Sequence, residues 1–144
     1  MHLELKFDKD KVRKLASEIS NSLGRLRELS EISKNDFLSD PYKIASAKYF
    51  LIVSIEASID MCSHVISMNR LRTPDDYADT FRVMGEVGMF NKDFTQKLVE
   101  MARFRNRLVH IYWEVDNELI YEILCEDIND FEEFIDIFMK SLKN

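Results

Sequence analysis

A segment that begins at Pro41 runs to about Asn69 with no internal glycine or proline, and apolar residues surround most of its helical circumference. Asp40 precedes Pro41, a pair typical of a helix start, because Asp caps free backbone amides and proline suits the first helical position. A helix this long and apolar lies at the centre of a fold or also contacts a partner. Only three glycines and two prolines occur in 144 residues, which favours long helices over strands and turns.

Apolar residues spaced three and four apart predict further helices on both sides of that segment. The first helix is predicted to begin near Asp8 and to end near Lys34 and Asn35. The third is predicted to begin at Thr73 and Pro74 and to end at about Val87. Asn91 is the predicted cap of the fourth. We also expect a short helix over residues 118–124 and a last helix capped by Asp127 or Asn129. The sequence therefore predicts a single all-α domain over residues 1–144, an up-and-down bundle of four to five helices.

Length and cysteine content restrict the class of protein. A chain of this length can bury one substantial core without metals or disulfides. Cys62 and Cys125 lie in no CxxC motif, and we interpret them as two buried thiols in a reducing compartment. The N-terminal residues are too charged for a signal peptide, and no apolar run approaches the roughly 18 residues that a membrane span needs. We therefore expect a cytoplasmic protein that does not bind a membrane.

The charge distribution is uneven. The net charge of −6 disfavours nucleic-acid binding by the molecule as a whole. Residues 114–139, however, contain ten acidic residues and no Lys or Arg, so the rest of the chain is net positive. Arg103, Arg105 and Arg107 cluster in the fourth predicted helix, and a local basic patch of this kind can bind phosphate. The alternative is a solvated helix face, and charge alone does not decide between the two.

Arg105 lies within the apolar arc of its predicted helix, close to the direction of Leu98 on an ideal helical wheel. A guanidinium in that position must be paired or must face a desolvated cleft. One interpretation is a structural arginine held by a carboxylate, for which Glu56 is the best candidate. The other is an arginine that binds a ligand in a cleft.

His110 is the second unusual residue. It lies four residues after Asn106, so the two side chains share a helix face. Arg105 and His110 are about 140° apart on an ideal helix. They converge only if Arg105 uses its length, if the helix ends near His110, or if a second chain completes the site. Tyr112 and Trp113 follow, and they either close the bundle end or serve in base stacking or as a modified phenol.

Glu56, Asp60 and His64 form a polar stripe with a spacing of four residues on the apolar second helix. Three ligands from one helix rarely complete a metal coordination sphere, so we favour interhelical or subunit-interface hydrogen bonds over a metal site. The chain has no glycine-rich phosphate loop and no GxSxG motif. We therefore expect no cofactor and no metal.

The segment over residues 105–112 resembles the RNxxxHxY motif of HepT-like proteins in the HEPN superfamily. It reads Arg105-Asn106-Arg107-Leu108-Val109-His110-Ile111-Tyr112. The upstream run Ile55-Glu56-Ala57-Ser58-Ile59-Asp60 and the downstream run Tyr121-Glu122-Ile123-Leu124 are also similar to that family. The resemblance extends over essentially the whole chain and implies a dimeric HEPN-like helical bundle.

The resemblance also implies a function: a homodimeric, metal-independent endoribonuclease toxin of a type VII-like toxin–antitoxin system, with transfer RNA among the family's targets. Its implied partner is an MntA-like minimal nucleotidyltransferase antitoxin, which adenylylates the motif tyrosine, here Tyr112. Arg105 and His110 are the implied catalytic residues. Asn106 and Glu56 would support them, and Arg103 and Arg107 are candidates for RNA binding. Some relatives are nucleotidyltransferase-associated binding subunits, so a non-enzymatic helical subunit is the alternative.

The residue types suit this chemistry. RNA can be cleaved by its own 2′-hydroxyl, and a histidine side chain with a pKa of about 6.5 moves protons near neutral pH. Arginine binds phosphate bidentately and stabilises the negative charge of the transition state. A dimer with two copies of Arg105 and His110 in one cleft would supply an acid, a base and two cations. AMP on Tyr112 would add bulk and negative charge two residues from His110.

Overall fold

The structure is a computed structural model that describes residues 3–142. Those residues form seven α-helices, one short 3-10 turn and no strand. The α-helices are α1 (Lys9–Ser30), α2 (Lys34–Leu38), α3 (Pro41–Met68), α4 (Tyr77–Glu86), α5 (Lys92–His110), α6 (Asn117–Glu126) and α7 (Asn129–Ser141). The predicted all-α bundle is confirmed, and among the seven helices only the short α2 has no counterpart in the prediction.

The helix α3 is the centre of the bundle. It contacts all six other α-helices and buries 14 of its 28 residues, including Leu51, Ile55 and Val65, while Tyr42 and Tyr49 remain exposed. This central position explains why so much of its circumference is apolar. By length and composition α3 could also cross a membrane, but the buried central helix of a globular bundle has the same properties. Cys62 is buried in α3, where burial raises the pKa of its thiol, whereas Cys125 is exposed, contrary to the prediction.

Two predicted helix starts are confirmed by their capping hydrogen bonds. Asp40 Oδ1 accepts from the backbone N–H of Tyr42 at 2.9 Å at the start of α3. Asn91 Oδ1 accepts from the backbone N–H of Phe94 at 2.8 Å at the start of α5. The predicted end of the first helix is wrong, because Ser33 caps the separate helix α2 through the backbone N–H of Asp36.

The predicted start of the third helix at Thr73 and Pro74 is also wrong. Asp76 caps α4, and its Oδ1 accepts from the backbone N–H of Asp79 at 2.7 Å. The preceding loop is fixed by Arg72, whose guanidinium binds Asp79. Helical periodicity in the sequence does not predict this tertiary contact.

The acidic end of the chain also differs in detail from the prediction. Asp116 caps α6, which starts one residue before and ends two residues after the predicted short helix. Neither Asp127 nor Asn129 caps the last helix. Ile128 occupies the N-cap position of α7, where no side chain provides a capping hydrogen bond. Arg27 of α1 instead binds Glu132, which ties the first turn of α7 to the bundle.

Candidate functional site

The centre of the site is an ion pair between α5 and α3. Arg105 Nε and Nη2 donate to Glu56 Oε2 at 2.9 and 2.6 Å. The Arg105 side chain is 14% exposed and the Glu56 side chain 41% exposed. The structure therefore places Arg105 in the half-buried position that its helical wheel indicates, held by the carboxylate that the sequence singled out.

Two further groups orient the Arg105 guanidinium. Its Nη1 donates to Asn106 Oδ1 at 3.2 Å. The aromatic ring of Tyr77, at the start of α4, lies 4.9 Å from Arg105 Cζ. The guanidinium is thus fixed from three directions, and it retains N–H groups that make no hydrogen bond to residues 3–142. A planar cation held in this way is suited to bidentate binding of a phosphate.

His110 is the last residue of α5, and its imidazole is exposed. The backbone N–H of Ile111 closes the helix by donating to the Arg107 carbonyl at 2.9 Å. Within the described part of the chain, no hydrogen bond joins His110 to Arg105. The chain therefore presents a fixed cation and, at the helix end, an exposed imidazole that is not hydrogen-bonded to it.

Tyr112 lies in the 3-10 turn that follows, over Tyr112–Glu114. Lys48 Nζ of α3 donates to the Tyr112 carbonyl oxygen at 3.0 Å and lies 4.1 Å from the centroid of the Tyr112 ring. The Tyr112 side chain is 38% exposed, so one face of the ring is covered while part of the side chain remains open to solvent. Trp113 is 79% exposed, so it does not close the bundle end within this chain.

Sequence reasoning missed Lys48 and Tyr77. Lys48 lies between Ile44 and Leu51 on the buried face of α3, so the rule that singled out Arg105 also applies to it. Tyr77 gives no such signal, because its contact with Arg105 depends on how α4 packs against α5.

The polar stripe on α3 separates into independent contacts. Glu56 binds Arg105, whereas His64 Nε2 accepts from the backbone N–H of Asp8 at 2.8 Å at the start of α1. Burial, reinforced by Lys11, lowers the pKa of His64. Asp60 lies at the surface, where partial desolvation by its neighbours and the negative charge of Glu56 raise the pKa of its carboxyl. Interhelical hydrogen bonds, the favoured interpretation of the stripe, are therefore present for two of its three residues.

Arg103 and Arg107 lie away from Arg105. They line one wall of a groove of about 600 Å³ between α5 and the helices α6 and α7. The floor of the groove is apolar and includes Leu51, Ile55 and Phe104. Its opposite wall carries acidic side chains, namely Glu126, Asp127 and Asp130. The lining is therefore of mixed charge, and two of its ion pairs are Arg103 with Glu100 at 3.2 Å and Lys97 with Asp130 at 4.0 Å.

The family of the chain follows from comparison with known proteins. Residues 19–137 match the family model described as ribonuclease HepT-like. The chain belongs to the HepT-like ribonuclease family. The match includes α3 and α5 in full, so it covers Glu56, Arg105 and His110 together, and the resemblance seen in the motif is confirmed.

Curated relatives carry nuclease names. The mRNA nuclease HepT of Shewanella oneidensis is 28% identical over 82 residues, which cover 57% of this chain and 62% of that protein. The chain thus matches less than two thirds of that relative. The tRNA nuclease HepT of Aphanizomenon flos-aquae is 25% identical over 119 residues, which cover 81% of this chain and 80% of that protein.

Solved structures share the fold. The tri-AMPylated HEPN toxin of Shewanella oneidensis, in complex with its MNT antitoxin, superposes with a TM-score of 0.85 at 23% identity. The alignment covers 92% of this chain and 98% of that chain. The cytosolic protein YutE of Bacillus subtilis superposes with a TM-score of 0.79 at 15% identity, over 94% of this chain and 91% of that chain. The fold of the bundle is therefore that of HEPN toxins.

Proposed function

We propose that this protein is a metal-independent endoribonuclease toxin of a type VII-like toxin–antitoxin system. It acts in the cytoplasm as a homodimer, takes RNA as substrate with transfer RNA as one class, and is neutralised by adenylylation of Tyr112. An MntA-like nucleotidyltransferase is its antitoxin. The observation that carries the proposal is Arg105 preorganised by Glu56 and Asn106, with the free imidazole of His110 at the same helix end, in a HepT-like chain.

The proposed cleavage needs only groups that RNA and the protein supply. The 2′-hydroxyl oxygen attacks the adjacent phosphorus, and the bond from phosphorus to the 5′-oxygen breaks. The products are a 2′,3′-cyclic phosphate and a 5′-hydroxyl. Arg105 stabilises the extra negative charge on the phosphorane oxygens. His110 takes the proton of the 2′-hydroxyl or gives one to the leaving 5′-oxygen.

A single His110 cannot act as general base and general acid at the same moment. This is a reason to propose a site formed by residues of two protomers. The surface next to the site supports a dimer. Exposed aromatic residues lie on α3 and after α5, and side chains of this type are enriched in subunit interfaces. They are Tyr42, Tyr49, Tyr112 and Trp113. The contact of Lys48 with Tyr112 joins α3 to the turn that carries Tyr112 and Trp113. In the proposed dimer, Arg105 of one protomer works with His110 of its partner.

The proposed inactivation attaches AMP to the exposed phenol of Tyr112. The Tyr112 oxygen attacks the α-phosphorus of ATP, a new oxygen–phosphorus bond forms, pyrophosphate leaves, and the phenol proton is released. The product carries one added negative charge two residues from His110. This charge repels the RNA backbone, and the nucleoside occupies the entrance to the cleft.

The direct test is RNA cleavage by the purified protein, free of antitoxin, in excess EDTA. We expect wild type to cut RNA, leaving 2′,3′-cyclic phosphate ends, and Arg105→Ala and His110→Ala to lose this activity while remaining dimeric. Arg13→Ala is the matched control, because Arg13 is exposed on α1 and makes no ion pair with residues 3–142. A wild-type protein that cuts no RNA and is harmless on expression would refute the nuclease proposal.

The Arg105–Glu56 pair also favours a second function, that of a non-enzymatic subunit that binds a nucleotidyltransferase. In that case Arg105 is an interface or structural residue. Arg105→Ala would then weaken binding of the nucleotidyltransferase or lower the melting temperature, with no nuclease activity to lose. Binding measured by isothermal titration calorimetry, alongside the cleavage assay, separates the two functions.

A further inference from the structure

Lys48 is a buried cation for which the proposed cleavage has no use. Lys48 is 4% exposed, and its ammonium group contacts the carbonyl oxygen and the ring of Tyr112. Among residues 3–142, no carboxylate oxygen lies within 4.0 Å of Lys48 Nζ. By contrast, the second cation of the site, the partly buried Arg105, is paired with Glu56.

A buried ammonium without a counter-ion is costly, and burial lowers the pKa of Lys48 for this reason. A carbonyl dipole and an aromatic ring offset only part of the cost, because neither carries a full negative charge. Most lysines avoid the cost by extending the ammonium to solvent. The Lys48 ammonium therefore lacks an anionic partner among residues 3–142, and an anion attached beside it would supply one.

Tyr112 is where such an anion can be attached. The ammonium lies over the face of the ring, and no residue among 3–142 forms a hydrogen bond with the phenol oxygen. Rotation about the bond from the ring to the phenol oxygen can turn an attached phosphate towards the face that Lys48 occupies. We propose that Lys48 is the anion-binding residue for the modified tyrosine and pairs with the phosphodiester of adenylylated Tyr112. This inference rests on the proposed function.

Such a pair has a defined consequence for the inactive state. The phosphate would be held between α3 and the turn after α5, so the AMP group would stay next to His110 and would not swing into solvent. A charge-assisted hydrogen bond in a half-buried place is also stronger than one at the surface. Modification would therefore stabilise the fold, and it would do so only when Lys48 is present.

The first experiment needs no antitoxin. Tyr112→sulfotyrosine, introduced by genetic encoding, places one negative charge on the phenol oxygen, as a phosphodiester does. Melting temperatures are compared with and without this group in wild type, in Lys48→Met and in Lys43→Met. Methionine keeps the length and apolar stem of Lys48, and Lys43→Met is the matched control on α3, since Lys43 pairs with Asp40 at the helix start.

We expect sulfotyrosine to raise the melting temperature by several degrees in wild type and in Lys43→Met. In Lys48→Met it should give no increase or a decrease. An equal change in all three proteins would overturn the inference. If Lys48→Met does not fold, the nitrogen resonance of the Lys48 ammonium decides. It should shift and become protected from exchange on sulfation, and an unchanged resonance contradicts the inference.

The second experiment uses the protein co-expressed with an MntA-like nucleotidyltransferase. Intact mass shows whether Tyr112 gains AMP, and a phosphodiesterase then removes it. Removal should be several-fold slower in wild type than in Lys48→Met, since Lys48 shields the phosphate. Equal rates would argue against the pair. If no AMP is attached in wild type, the proposed modification fails, while the sulfotyrosine experiment still decides the role of Lys48.

Discussion

Two arginine–carboxylate clusters, both in contact with the first turn of α4, have opposite patterns of exposure. In the loop before α4, Arg72 is 42% exposed and its partner Asp79 only 8% exposed. In the candidate site, Arg105 is 14% exposed and its partner Glu56 is 41% exposed. The buried group is thus the acid in the first cluster and the cation in the second.

The difference separates a structural contact from a site that can take a ligand. Asp79 also accepts from the backbone N–H of Asp75 at 2.9 Å, and Arg72 also donates to Glu86, so this cluster is satisfied within the protein. It joins the loop to both ends of α4. Arg105 forms hydrogen bonds only with side chains. Its carboxylate partner, Glu56, is partly exposed to solvent. An anionic ligand can therefore compete for the Arg105 guanidinium, whereas nothing can replace Asp79 without opening the loop.

The largest expected effect comes from the same substitution in both clusters. Arg105→Lys should reduce RNA cleavage about 100-fold or more, because lysine cannot bind a phosphate bidentately and the loss of one transition-state donor has this scale. Its melting temperature should stay near that of wild type. Arg72→Lys should lower the melting temperature and leave cleavage unchanged. Single-turnover cleavage rates and thermal unfolding by circular dichroism measure both.

The reverse outcome would break the comparison. If Arg105→Lys unfolds the protein more readily than Arg72→Lys while cleavage survives, Arg105 is the structural arginine and the site lies elsewhere. The non-enzymatic function would then be the better account of the chain.

A smaller effect is expected from neutralising the two acids. Glu56→Gln should lower kcat about tenfold without raising KM, because Arg105 loses orientation but keeps its charge for the substrate. The free energy of unfolding should change by less than about 1 kcal/mol, since Glu56 is half exposed. Asp79→Asn should cost about 1–2 kcal/mol by weakening the hydrogen bonds of a buried carboxylate, with unchanged kcat. A higher KM in Glu56→Gln would show that Glu56 contacts the substrate and does not act through Arg105.

The contrast between the clusters also shows how far the sequence could lead. Helical periodicity and the caps Asp40 and Asn91 located α3 and the start of α5, because these signals are local. The start of α4 was predicted too early, because Thr73 and Pro74 look like a helix start. The loop there is held by the side chain of Arg72, and Arg70 takes a positive φ of 51°. Tertiary contacts of this kind leave no periodic signal.

The candidate site was predictable where a charge falls within an apolar arc. This rule found Arg105, and the carboxylates on the neighbouring helix then gave Glu56 as its partner. The same rule applies to Lys48. It was missed because apolar residues cover most of the circumference of α3, so no single apolar arc marks the buried face. Tyr77 could not be predicted, since a ring above a guanidinium depends on the packing of α4 against α5.

The smallest effect is on acid stability, and it concerns the cluster of Arg72 and Asp79. Hydrogen bonds from Arg72 and from the backbone of Asp75 lower the pKa of Asp79 to about 2. A carboxyl with a depressed folded pKa stabilises the fold fully above its unfolded pKa of about 4, and this contribution is lost as the pH falls towards about 2. Thermal unfolding between these pH values should therefore show a steeper loss in wild type than in Asp79→Asn. Equal slopes for wild type and Asp79→Asn would mean that Asp79 does not control acid stability.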